Sequence, residues 1–206
     1  GEFGPEVPLN TMPARVINGF GYEVLLQGVT PEPMDIRFSP DGRLWITGRR
    51  GEVWQYSFET KALRQVAALE LAWQSVPAEG TASERGLHGL EFDPDYSDNG
   101  YIYLFYSAVS HGLYSSRVSR FTIARKHEGD ALLAGTEKIL IEFPSRLGMH
   151  QGGALGYNPK DGKLYVSVGD NYVSANRTKR FGYYVPKTPP MDLGSLRGKT
   201  LRLNLD

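Results

Sequence analysis

Ile36-Arg37-Phe38-Ser39-Pro40-Asp41-Gly42 sets a pattern that the chain writes twice more. The other copies are Leu90-Glu91-Phe92-Asp93-Pro94-Asp95 and Leu155-Gly156-Tyr157-Asn158-Pro159-Lys160-Asp161-Gly162. Each is an apolar–x–aromatic–x–Pro run, then a polar turn, then a strand-like segment. Asp can bond its own backbone and Gly supplies positive φ, so Pro-Asp-Gly and Asp-Gly are turns with a mechanism. The prolines are spaced 54 and then 65 residues apart. A β-hairpin recurring at that period is the signature of a β-propeller blade. Three copies predict an all-β chain holding about three four-stranded antiparallel blades, near residues 20–75, 84–143 and 150–206. Residues 1–12 are read as a tail or cloning remnant.

Working outward, strands are expected at Tyr22–Leu26, Met34–Phe38, Leu44–Thr47 and Val53–Phe58. A second set is Leu87–Phe92, Tyr101–Ser107, Val118–Ile123 and Lys138–Phe143, and a third is Ala154–Tyr157 and Lys163–Val168, with Thr200–Leu205 last. Thr60–Trp73 fits a helix or a strand equally well. Asn171–Pro190 reads as a long loop. The 24 Gly, 13 Pro, 12 Tyr and 9 Phe suit many short strands and tight turns.

Composition narrows the class. With 40% hydrophobic and 22% charged residues among 206, a packed core is within reach. Equal counts of 23 basic and 23 acidic residues argue against a nucleic-acid or anionic-membrane surface. There is no cysteine, hence no disulfide or thiolate ligand, and no apolar run long enough to span a membrane. No signal peptide is recognisable in the sequence.

A blade meanders outward from the central channel, so the loop entering its first strand and the loop leaving its second open on one face. In the third copy this sets His150 and Gln151 opposite Asp170 and Asn171. The second copy adds Ser83, Glu84, Arg85 and His88 to the same rim, and the first adds Arg49 and Arg50. An imidazole titrating near neutrality, its tautomer fixed by a carboxylate, is a general base. His150 is therefore the expected proton acceptor and Asp170 its partner. Arg49-Arg50 reads as a solvated turn rather than an anion clamp, and His88, His111 and His127 carry less weight.

Glu84 through Tyr96, then Asn99-Gly100-Tyr101, with His150-Gln151-Gly152-Gly153, Gly169-Asp170 and Gly198-Lys199-Thr200-Leu201-Arg202-Leu203-Asn204, resembles the soluble quinoprotein glucose/sorbosone dehydrogenases. The resemblance covers roughly residues 18–206. It implies a six-bladed propeller that binds pyrroloquinoline quinone (PQQ) and oxidises aldose sugars in the periplasm or outside the cell. On that analogy His150 and Asp170 are catalytic, and Glu84, Arg85, Gln151 and Asn171 are cofactor-binding. His88 departs from the family's usual leucine, and Glu84 from a neutral amide. The family's other cofactor contacts and its calcium ligands fall beyond this chain. The remaining blades would come from another chain, a second copy or further sequence, so the isolated chain is not expected to be a stable monomer. A non-catalytic binding propeller of the Hedgehog-interacting type is the alternative. So is a metal-dependent lactonase, with Glu84, Asp170 and Asn171 as ligands.

Overall fold

The computed structural model describes residues 19–74, 83–124, 129–145, 148–171 and 192–205. The strands fall into three antiparallel sheets in chain order. Blade 1 is the meander β1 (Pro33–Phe38), β2 (Leu44–Gly48), β3 (Glu52–Tyr56) and β4 (Leu63–Ala68). In blade 2, β5 (Leu87–Phe92), the short helix α1 (Tyr96–Asn99), β6 (Tyr101–Ser110) and β7 (Leu113–Ala124) lead to β8 (Ala131–Leu132) and β9 (Lys138–Pro144). Both β8 and β9 pair with β7. Blade 3 comprises β10 (Gly152–Asn158), β11 (Lys163–Val168) and β12 (Lys199–Leu203). This is a partial β-propeller.

The three quoted repeats are the three inner strands and their turns. Each inner strand also carries a register shift near the end where the chain enters it, at Pro33/Asp35, Leu87/Gly89 and Gly152/Leu155. Such bulges re-aim the local backbone and break strict alternation. Polar side chains then stitch the inner strands together. Arg37 on β1 donates to the Leu155 carbonyl of β10 at 2.9 Å, and Asp35 accepts from the Leu90 N–H of β5 at 3.1 Å.

The open alternative at Thr60–Trp73 resolves as a strand. Lys61 takes φ +57°, and the Ser57 N–H bonds the Ala62 carbonyl at 3.0 Å, so the chain reverses and returns antiparallel on β3. One expectation needs correction. Tyr22–Leu26 forms no strand; Leu26 and Val29 instead lie against Leu44, Ile46 and Tyr56 of blade 1. Among the described residues the third sheet carries β10, β11 and β12. Most of the Asn171–Pro190 loop and His127 lie outside the described residues.

Hydrophobic burial between blades holds the array. Strand β6 is buried on both faces, which is why Ile102 to Tyr106 reads as an unbroken apolar run. Ile102, Leu104 and Tyr106 join Trp45, Val53, Leu87, Leu90 and Phe92 in the core between blades 1 and 2. Tyr103 and Phe105 join Val118, Leu155, Leu164 and Val166 between blades 2 and 3. Trp45, fully buried, meets Phe92 edge-on at 5.3 Å. On the outer side of blade 1, Ile36 and Phe38 remain 58% and 62% exposed.

Candidate functional site

Strand order brings three chain entries to one rim. The Gly148–Gln151 segment leads into β10, Gly169–Asn171 leaves β11, and Ser83–Gly86 leads into β5. The β10–β11 ladder extends past its strands: Gly169 N–H bonds the Gln151 carbonyl at 3.0 Å, and Asn171 N–H bonds the His150 carbonyl at 3.3 Å. A Cβ on Gly169 would sit 1.8 Å from the His150 carbonyl oxygen, so only glycine permits this approach.

His150 and Asp170 meet as the hairpin geometry predicts. His150 Nδ1 lies 2.9 Å from Asp170 Oδ1, with the two side chains 51% and 32% exposed. A carboxylate accepts only, so Nδ1 carries the hydrogen and Nε2 is the basic nitrogen. The His150 backbone adopts φ +51°, a left-handed conformation uncommon outside glycine. Glu84 secures it from both sides. Its carboxylate accepts the His150 N–H at 2.5 Å, and its own N–H bonds the Gly148 carbonyl at 2.6 Å.

The other expected site residues lie behind this rim. Gln151 is 1% exposed; its Oε1 accepts from Ser145 Oγ at 2.8 Å, and its Nε2 donates to the Met149 carbonyl at 3.1 Å. Asn171, also buried and at φ +55°, donates to the same carbonyl at 3.0 Å. Arg85 is fully buried, its guanidinium 3.7 Å from the Tyr114 ring centroid. The rim itself presents two carboxylates around one imidazole, with cationic charge beneath it.

Part of that charge comes from Arg197, which the motif reading did not single out. It is buried, bonds the Pro144 carbonyl, and packs over Phe143. Burial, aided by repulsion from Arg85, lowers its pKa to about 10. Only the sequence position before Gly198-Lys199 hinted at it. Arg49 also differs from its reading as a solvated turn, since its side chain is 17% exposed and bonded to backbone carbonyls. Arg50, at 44%, does face solvent. His88 sits in the interior beside Phe105 and Gly153, and burial lowers its pKa to about 4.

A cavity of about 630 Å³ between blades 1 and 2 is lined by Leu71, Trp73, Tyr106, Arg117 and Glu137, among others, and by none of the rim residues. Among the described residues no three His, Asp or Glu side chains converge as a metal site.

Known proteins resemble this chain in sequence and, among solved structures, in fold. The chain is 27% identical over 201 residues to quinoprotein glucose dehydrogenase B of Acinetobacter calcoaceticus, covering 91% of this chain and 40% of that protein. It is 31% identical over 130 residues to the human Hedgehog-interacting protein, covering 60% and 17%. Among solved structures, an oxidoreductase (glucose dehydrogenase) of Thermus thermophilus superposes with TM-score 0.63 at 27% identity, covering 84% of this chain and 43% of that one. The PQQ-bound aldose sugar dehydrogenase of Streptomyces coelicolor shares the fold with TM-score 0.63 at 22% identity, covering 84% and 45%. This chain thus spans less than half the length of each of these proteins. The family model for glucose/sorbosone dehydrogenases matches residues 30–206, nearly all of the propeller array, and the chain belongs to that family.

Proposed function

We propose that the chain is part of a quinoprotein oxidoreductase that oxidises the C1 hydroxyl of aldose sugars, working in the periplasm or outside the cell. The observation that carries the proposal is the 2.9 Å His150–Asp170 contact, which makes Nε2 the proton acceptor. In the reaction the C1–OH proton passes to His150 Nε2, and the C1 hydrogen leaves with its electron pair, giving the lactone. PQQ, when bound, supplies the hydride acceptor.

The residues present fit one side of that cofactor. His150, held by Glu84, and the neighbouring Asn171 would border the cofactor. Glu84 and Asp170 would repel an anionic group, and buried Arg85 and Arg197 oppose that repulsion from behind the loop. The Nη1 of Arg197 is buried without a hydrogen-bond partner among the described residues, so its charge is poorly compensated locally. Arg85 and Gln151 would act on the cofactor through the loop they support. Further blades would cover Ile36 and Phe38 and carry the groups that grip the cofactor's carboxylates, together with any calcium.

The test uses the complete protein with PQQ, calcium and a panel of aldoses, followed by dye reduction. His150→Ala should lower turnover by about 10²- to 10⁴-fold while leaving PQQ binding in place. Unchanged turnover would remove His150 as the base. The likeness to the Hedgehog-interacting protein favours one second reading, a binding scaffold, and PQQ binding without sugar turnover would support it.

A further inference from the structure

The geometry points to Arg49 as a positioning residue for the His150 rim, a role that rests on the proposed function of His150. Arg49 lies on the turn between β2 and β3 of blade 1, yet nearly all its bonds leave that turn. Its Nε and Nη2 grip the Glu32 carboxylate in a fork at 2.8 and 3.1 Å. Its Nη1 faces three carbonyls, those of Trp73 at 3.0 Å, Ser83 at 3.0 Å and Arg85 at 2.9 Å. Ser83 and Arg85 flank Glu84, so one guanidinium holds the peptides on both sides of the residue that accepts the His150 N–H. The backbone adds a further tie: the Leu87 N–H bonds the Arg49 carbonyl at 2.9 Å. Gly86, at φ +146°, is pressed so close that a Cβ there would lie 2.1 Å from the Arg49 oxygen.

The chain of contact therefore runs from Glu32 to Arg49, to the Ser83–Arg85 peptides, to Glu84, to the His150 backbone. It crosses from blade 1 through blade 2 to blade 3. Apart from the covalent step within Ser83–Arg85 each link is a hydrogen bond, and Glu32, Arg49 and Glu84 bring charged groups to those bonds, which strengthens and orients them. A planar, forked guanidinium can serve both the carboxylate and the carbonyls at once; an ammonium cannot span them. His150 needs such a tie because its left-handed backbone is not self-supporting. Arg50 makes the useful contrast. It shares Glu32 at 3.1 Å and lies 4.8 Å from the Trp73 ring centroid, but no carbonyl bond from it to the 83–85 segment is seen.

Arg49→Lys keeps the charge and removes the fork. In the complete protein, native-state hydrogen exchange at the His150 amide should quicken about tenfold or more, the scale expected for a weakened charge-assisted bond. Exchange at the core amides of Leu104 and Val118 should stay unchanged, and Arg50→Lys should leave all three as they were. Turnover should fall with KM for the sugar little altered. Glu32→Gln, which loosens the fork from its other side, should move the His150 amide in the same direction.

Unchanged exchange at His150 in Arg49→Lys would overturn the inference. So would equal acceleration of every amide in both variants, which would make Arg49 a general strut. Selective loosening at His150 with unaltered turnover would uphold Arg49's hold on the loop and overturn the assignment of His150 as base.

Discussion

Replacing His88 by leucine should remove an acid-sensitive part of the protein's stability. The imidazole lies on β5 in edge-to-face contact with Phe105, their centroids 6.0 Å apart, and its Nε2 is buried without a hydrogen-bond partner among the described residues. Burial is the main cause of its pKa falling from 6.5 to about 4; a hydrogen bond to the Glu84 backbone opposes the fall, and the nearby Arg49 charge adds to it. Above pH 6.5 the ring is neutral in both folded and unfolded chains and adds no pH dependence. As pH drops from 6.5 towards 4, the unfolded chain takes up a proton that the folded chain refuses, so stability falls. Below about 4 both forms are protonated and the loss is complete. A fall from 6.5 to about 4 corresponds to a loss of about 3 kcal/mol across this window. Urea denaturation of the wild type and His88→Leu at a series of pH values from 8 to 4 isolates the effect, because other titrating groups cancel in the difference. The variant should gain on the wild type by about 3 kcal/mol over the window. Parallel stability curves, or an NMR titration placing the folded His88 near 6.5, would refute the reasoning.

Two further substitutions probe the blade contacts. Gly89→Ala would place a methyl 2.1 Å from the Gly153 carbonyl oxygen, where β5 and β10 abut; the expected loss is about 1–3 kcal/mol in chemical denaturation, and no loss would contradict the close approach. Trp45→Ala empties a fully buried ring from the core between blades 1 and 2 and should cost about 3–5 kcal/mol, with a lowered Tm as the readout.

The proline-centred repeats made the inner strands legible because turn chemistry and alternation are local. Pairing β10 with β11 about the Pro159 turn was enough to bring His150 to Asp170, 20 residues away. Tyr22–Leu26 misled for a physical reason. Its apolar residues have a use, as Leu26 and Val29 cover blade 1, but that packing needs no backbone pairing. Thr60–Trp73 could not be settled from propensity, since its fate depended on the turn at Lys61.

Residue order alone thus determined an all-β array of hairpins and one imidazole–carboxylate pair on its rim. The tertiary structure decided what surrounds that pair. Arg49 reaches Glu32 and the 83–85 segment across sequence separations of 17 to 36 residues, and Arg197 reaches Pro144 across 53. Glu84 meets His150 across 66. These partners become neighbours only when the blades pack, and burial then sets which side chains face the rim and which support it. A period in the sequence can specify a blade; the charges gathered between blades belong to the assembled fold.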